Sequence, residues 1–366
     1  MNIDFFNPVK IISGTDCFKN FTGFAAFGKK CVIVTGKNSA KQCGALDDAV
    51  YALENAGISY KIFNKIEQNP LMETCYEGGK FTRKFGADFV IGIGGGSPLD
   101  AAKSICIYAA NPRFKPADIF ENSRKPAIPM LAVNTTAGTG SEVTPYSILT
   151  VHEIKNKKSV SGDDIYPKIA FLDPKYTETL SKEFTAATAI DALCHAVEGF
   201  FGARSNEISD SLAIRAIPML VNGLRAVSAN NITPFIREEL LYASTIAGQV
   251  ISRTGTGFVH STGYALTYNH NIPHGEANGY FLPDFVSFMA KNEPEKGAVL
   301  FMLCDIEKGD DLMTLFKTLL PFDYKIDEAT LKQYAKNTIT AKNVKNSLAE
   351  IDEDYLTEVL LKRLCK

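Results

Sequence analysis

Asp191 and His195 stand four residues apart in TAATAIDALCHAVEGFF, a run whose apolar residues Ile190, Leu193, Val197 and Phe201 recur at helical spacing. Residues four apart share one helix face, so a carboxylate and an imidazole aim at the same point. His260 and His274 follow in HSTGYALTYNHNIPHGEANG, on either side of a turn-rich run at 269–273 that joins two expected helices. Four such groups can converge on one cation. An imidazole and carboxylate shell suits Zn, Fe or Ni better than Ca or Mg, which prefer oxygen throughout. Taken singly, each histidine reads more simply as a satisfied core or surface residue, and an Asp-x-x-x-His pair arises often by chance. No cysteine shares the pattern. The eight are scattered without a C-x-x-C pair, which in a reducing compartment makes them small apolar residues or idle thiols.

A second cluster with chemical potential is GIGGGSPLDAAK, from Gly92 to Lys103, a glycine-rich turn that leaves a strand and opens a helix. Glycines let the backbone approach a phosphate closely, and a helix starting near Ser97 and Pro98 presents free N–H groups and a positive dipole end. Gly94, Gly95, Gly96 and Ser97 are therefore candidates for a pyrophosphate cradle. The usual G-x-G-x-x-G fingerprint is not met, because Ser97 stands where the last glycine belongs, and Lys103 is too far along for a P-loop. By pattern alone, a cofactor loop and a tight structural turn stay equally open. Downstream, Thr135, Thr136, Thr139 and Ser141 in NTTAGTGSEVTP could hydrogen-bond a nucleotide or merely build a Ser/Thr-rich turn. The first strand ends CVIVTGKNSAK. NAD-selective sites place a carboxylate after such a strand; here Gly36 leaves space, and Lys37 and Ser39 could meet a 2′-phosphate, so NADP(H) is expected over NAD(H).

The elements that must carry these residues follow from periodicity. Short apolar runs at 31–35, 59–63, 88–93, 128–136, 146–151 and 169–173 read as strands, the early ones separated by helical stretches at 46–57 and 71–85. That alternation implies a parallel sheet with helices on both faces. Past Pro174 the strand signals fade and helical periods dominate. A chain of 366 residues exceeds what one core usually serves, so the expectation is an α/β dinucleotide-binding domain over 1–176 and an all-α domain over 177–366. A net charge of −2 without a long basic run argues against nucleic acid or an anionic membrane as partner. No signal-like N-terminus and no apolar run near the ~20 residues of a membrane span is present, so a cytoplasmic address is expected.

With both clusters in view, the sequence resembles the iron-containing (group III) alcohol dehydrogenases nearly end to end. GIGGGSPLDAAK, NTTAGTGSEVT, the Asp173-Pro174 pair, TAAT-x-x-DAL-x-HA-x-E and the later H…PHG-x-x-N block carry the likeness. The resemblance implies a dehydroquinate synthase-like architecture, with NAD(P) on the α/β domain and a metal in a cleft beside a helical domain. It also implies that Asp191, His195, His260 and His274 hold Fe2+ or Zn2+. The nucleotide contacts expected on this basis take in Asn69, Asp100, Val143 and Lys158 as well. Two positions depart from the family pattern. Tyr264 stands where relatives often carry a histidine of the proton path, and Ala189 replaces a common glycine. His270, the one imidazole left in that segment, is then the candidate relay with Tyr264, against a reading in which it is a solvent-facing loop residue and the proton leaves through the nicotinamide ribose hydroxyl and water.

The expected activity is a metal-dependent NAD(P)(H) alcohol dehydrogenase and aldehyde reductase acting on a small alcohol or aldehyde: the metal polarises the oxygen and hydride passes to or from the nicotinamide. A glycerol dehydrogenase-like enzyme typically uses three ligands, against which His195 speaks as a fourth. A dehydroquinate synthase-like lyase usually has Glu at the position of Asp191 and wants more basic residues than Arg204, Arg215 and Arg253. A homodimer is the default assembly.

Overall fold

The computed structural model describes residues 3–121 and 123–366. They form two compact units, Asn7–Leu180 and Ser181–Lys366, the latter together with the described residues before Asn7.

The first unit carries strands β1 Lys10–Ser13, β2 Lys30–Gly36, β3 Ser59–Ile66, β4 Phe89–Gly94, β5 Met130–Asn134, β6 Tyr146–Val151, β7 Asn156–Ser161 and β8 Ile169–Leu172. Its helices are α1 Ser39–Gln42, α2 Ala45–Asn55, α3 Met72–Phe85 and α4 Gly96–Ala110. Six strands make one sheet in the order β1-β8-β5-β4-β2-β3, every pair parallel. Side chains alternate across it as strand geometry demands. Val32, Val34 and Val90 pack with Met72, Leu99 and Ile105 of α3 and α4, whereas Cys31, Ile33 and Ile91 pack with Ala49 and Leu53 of α2.

Strand order places the glycine turn. The chain runs outward from β2 to β3, returns to the other side of β2 as β4, and continues through β5 to β8. The carboxyl ends of β2 and β4 therefore flank the point where winding reverses, which is where open α/β sheets bind ligands. Thr35 pairs with Ile93 there, so Gly36 and Gly94 leave the sheet side by side.

Two elements depart from the expected layout. β1 lies in the opening stretch, where no strand was read, and is recruited to the sheet edge by β8. The strand at 146–151 stays out of the sheet and pairs antiparallel with β7, whose NKKSVS sequence is too polar to signal a strand.

The second unit is helical: α5 Lys182–Phe200, α6 Glu207–Ser228, α7 Pro234–Thr254, α8 Phe258–His270, α9 His274–Gly279, α10 Leu282–Asn292, α11 Pro294–Cys304, α12 Asp310–Lys317, α13 Glu328–Ile339 and α14 Glu353–Leu364. Local chemistry starts several of them. Ser181, Asn206 and Thr233 each accept a backbone N–H of the first turn, and Pro234 follows Thr233 at a position where its missing N–H costs nothing. The short α9 lies directly on α5: a Cβ added to Gly275 would come within 1.7 Å of the Ala187 carbonyl oxygen. Only glycine permits that approach, and Gly275→Ala would push α9, with His274 at its head, off α5. No helix among the described residues is long and apolar enough to cross a membrane.

Candidate metal centre and nucleotide turn

Helix α5 is buried at every residue from Ala189 to Phe200, and on it Asp191, His195 and Glu198 recur at helical spacing. Helix α8 brings His260, and the turn between α8 and α9 returns the chain so that His274 heads α9. One donor atom from each of Asp191, His195 and His260 lies within 4.8 Å of the others, all three residues buried. The His195 and His260 rings stack 4.4 Å apart at 13°. His260 Nε2 is 3.4 Å from Asp191 Oδ1, and His274 Nε2 is 3.9 Å from the same oxygen. Three of the four groups singled out by type and spacing thus cluster, and His274 approaches the same carboxylate.

Hydrogen bonds hold this cluster from outside. Glu198 Oε2 pairs with His260 Nδ1, while Glu198 Oε1 accepts the N–H groups of Gly257 at 3.0 Å and Val259 at 2.7 Å where α8 begins. Asn278 donates to Asp191 Oδ1 at 2.8 Å, and the Thr267 hydroxyl lies 3.3 Å from His274 Nδ1. Sequence reasoning did not single out Glu198, Asn278 or Thr267 as site residues. A signal existed for two of them: Glu198 closes HA-x-E one turn past His195, and Asn278 closes PHG-x-x-N one turn past His274.

The electrostatics favour positive charge at the centre. Burial alone would raise the Asp191 carboxyl, but the imidazoles of His195, His274 and His260 outweigh it and hold the acid far below the usual carboxylate range. Burial likewise opposes a charged His260 ring, yet the Glu198 and Asp191 carboxylates push it up to about 9. The buried His260 Nε2 makes no aligned hydrogen bond among the described residues, and its 3.4 Å contact is longer than a good N–H···O bond. Buried polar atoms are normally satisfied. A divalent cation would satisfy this one and the carboxylate together, and the nitrogen-rich donor set fits Fe2+ or Zn2+. Cys194, next to His195, is fully buried and is not among the donor groups that cluster, which are those of Asp191, His195 and His260.

The two residues considered for the proton path lie on α8 apart from each other. Tyr264 stacks on His274, whereas His270 Nε2 lies 2.9 Å from the Tyr334 hydroxyl. Burial lowers the affinity of His270 for a proton.

In the first unit, the glycine turn opens α4 beside the Thr136–Ser141 loop. An added Cβ at Gly95 would meet Thr136 Oγ1 at 2.7 Å, and one at Gly96 would meet Thr139 Cγ2 at 2.7 Å. These glycines make room for the Thr136 and Thr139 side chains against the turn, where the first N–H groups of α4 lie at the strand ends. Asn69 N–H donates to Ser97 Oγ at 3.1 Å, tying the β3–α3 loop into the same place. Thr135 and Thr136 are buried in the loop. Gly36 is half-buried at the end of β2, with Lys37 and Ser39 exposed beyond it.

Other expected contacts have protein partners. Asp100 accepts from Ser141 Oγ at 2.6 Å and from the Ile148 N–H at 2.9 Å. Val143 is fully buried, and the Lys158 amine rests over the Phe120 ring at 4.3 Å. Lys103, set aside in the sequence, proves central: its buried amine donates to Ser141 Oγ at 2.9 Å and to the Tyr146 carbonyl at 2.7 Å. Burial pulls its pKa down to about 8, with Asp100 and Glu142 opposing.

Comparison with known proteins adds the remaining constraint. Residues 8–174 match the family model for iron-containing alcohol dehydrogenase, and residues 185–364 match that for the C-terminal region of the Fe-containing alcohol dehydrogenase family. The chain is 32% identical over 334 residues to the NADPH-dependent butanol dehydrogenase of Clostridium saccharobutylicum, covering 88% of this chain and 85% of that protein. It is 36% identical over 273 residues to the lactaldehyde reductase of Escherichia coli K12, covering 73% and 70% respectively. An iron-containing alcohol dehydrogenase of Thermotoga maritima superposes with a TM-score of 0.90 at 34% identity, covering 99% of both chains.

Proposed function

The chain belongs to the iron-containing alcohol dehydrogenase family, metal-dependent enzymes that interconvert alcohols and aldehydes with a nicotinamide nucleotide, and from that premise we propose its residue roles, cofactor preference and substrate class. Asp191, His195, His260 and His274 hold one divalent ion, Fe2+ or Zn2+. The observation that supports this set is the approach of three buried donor groups to within 4.8 Å, with His274 Nε2 3.9 Å from the shared carboxylate. When bound, the ion supplies a Lewis acid that polarises the substrate oxygen. The residues around it hold charge and orient donors: Asn278 keeps Asp191 turned inward, and Thr267 supports His274. His270 carries the alcohol proton towards solvent, and Tyr264 orders the ring of His274.

The nucleotide lies on Gly94–Ser97 with its phosphates at the start of α4, and NADP(H) is preferred. Space does not explain the missing carboxylate at position 36, because an added Cβ would meet only ordinary contacts, the Ile66 carbonyl at 3.5 Å and Ser39 Oγ at 3.7 Å. What the position lacks is negative charge, and Lys37 and Ser39 follow it. Asn69, Thr135, Thr136 and Thr139 border the cradle, whereas Asp100, Ser141, Val143 and Lys158 act on the nucleotide through the loops they hold. Short primary alcohols and their aldehydes are the substrates, in keeping with relatives named for butanol, 1,3-propanediol and lactaldehyde. The active form is a cytoplasmic homodimer. The deciding experiment is reduction of butanal by NADPH with and without added Fe2+ or Zn2+, on protein whose mass in solution has been measured. Turnover that is indifferent to metal and to chelation would sink the assignment.

A further inference from the structure

Glu198 is 1% exposed, and its two oxygens serve different partners. Oε1 gathers the N–H groups of Gly257 and Val259, with that of His260 at 3.4 Å, and so caps the start of α8. Oε2 meets the side chain of His260 at Nδ1. We propose that Glu198 is a positioning residue that fixes His260 as the Nδ1–H tautomer, turns Nε2 towards the metal's place beside Asp191, and thereby strengthens the centre's hold on its metal. A carboxylate can only accept, so the ring nitrogen bonded to it must carry the proton. In the neutral imidazole that a metal requires, the other nitrogen, Nε2, is then the one that gives up its proton and offers a lone pair. His274 meets neutral partners at longer range, the Thr267 hydroxyl 3.3 Å from Nδ1 and the Asn278 amide nitrogen 3.3 Å from Nε2, and its side chain is 26% exposed against 2% for His260. The two imidazoles are therefore unequal, with His260 the anchor and His274 the weaker ligand.

This inference rests on the metal reading above, and the test separates the two. Glu198→Gln keeps an oxygen to cap Gly257 and Val259 but turns an NH2 donor towards His260 Nδ1. That favours the Nε2–H tautomer, whose proton occupies the metal's place. The full chain and the variant are compared for Zn2+ and Fe2+ affinity by competition with a chromophoric chelator, beside the Tm of the metal-free proteins. Glu198→Gln is expected to bind metal about 10- to 100-fold more weakly, and Thr267→Val to lose less. A lower Tm with parental metal affinity would make Glu198 a helix cap only and overturn the proposal. A parent that binds neither ion overturns the metal reading itself. Should the Gln variant not fold, long-range 1H–15N NMR of the zinc-loaded parent decides: a proton on Nδ1 of His260 supports the assignment, and one on Nε2 overturns it.

Discussion

The Tyr264 ring lies parallel to that of His274, 6° between planes and 5.3 Å between centroids. Tyr264 thus stacks on the face of an imidazole proposed as a ligand, while the Thr267 hydroxyl meets its Nδ1, and a phenyl ring would stack equally. Tyr264→Phe should leave metal content unchanged and cost far less than the roughly 10²-fold of a lost proton-transfer group. Tyr264→Ala removes a stack worth about 0.5–1.5 kcal/mol and should weaken metal binding. A large fall in turnover for Phe would return the hydroxyl to the proton path.

His270 is tested by keeping its polarity and removing its titration. Burial lowers the proton affinity of the ring, which favours the neutral form from which a relay starts. His270→Gln is expected to lower alcohol oxidation near neutral pH by about 10²-fold with metal content intact. A variant with the parental pH–rate profile would confine this side chain to holding Tyr334, which it meets at 2.9 Å.

Removal of the two downstream imidazoles should have unequal effects. His260→Ala strands the buried Glu198 carboxylate and should cost roughly 3–5 kcal/mol in stability besides abolishing metal binding. His274→Ala, at a site 26% exposed, should weaken metal binding with a smaller change in Tm. Calorimetry and elemental analysis report both quantities, and NADP(H) affinity should persist in each variant. Metal retained at full occupancy in either would remove that residue from the ligand set.

Cofactor choice is open to a single substitution. Gly36→Asp fits without backbone clash and places a carboxylate where a 2′-phosphate would lie. The ratio of kcat/KM for NADPH over NADH should fall by 10-fold or more, about 1.4 kcal/mol. A parent that already prefers NADH, with a ratio unmoved by Asp, would refute the assignment of Lys37 and Ser39.

Lys103→Met should loosen the nucleotide turn, because Ser141 and the Tyr146 carbonyl lose their buried donor, at about 1–3 kcal/mol. The amine's pKa is about 8 in the folded chain against an ordinary 10.5. Between these values the unfolded chain binds more protons, so the contribution of Lys103 rises with pH through that window and is lost as pH falls towards 8. Chemical denaturation of parent and variant at pH 8 and 10 should show the stability difference growing with pH. A difference that shrinks would mean the amine stays fully charged.

Local order and chain-end chemistry were within reach of the sequence alone. Asp191 and His195 share a helix face because the helix repeat makes four residues one turn, whatever else packs there. The parallel sheet followed from alternating apolar runs and helical stretches, and the glycine turn from a strand running straight into a helix. Tertiary structure decided the rest, since it depends on which distant surfaces meet. Glu198 and His260 are separated by 62 positions and joined only because α8 starts against α5. Lys103 looked idle until β6 and the Ser141 turn closed over it. β7 carries no apolar pattern, and becomes a strand because β6 offers it a ladder of backbone partners. Periodicity records what a segment buries, whereas a pairing across space leaves no mark in either partner by itself.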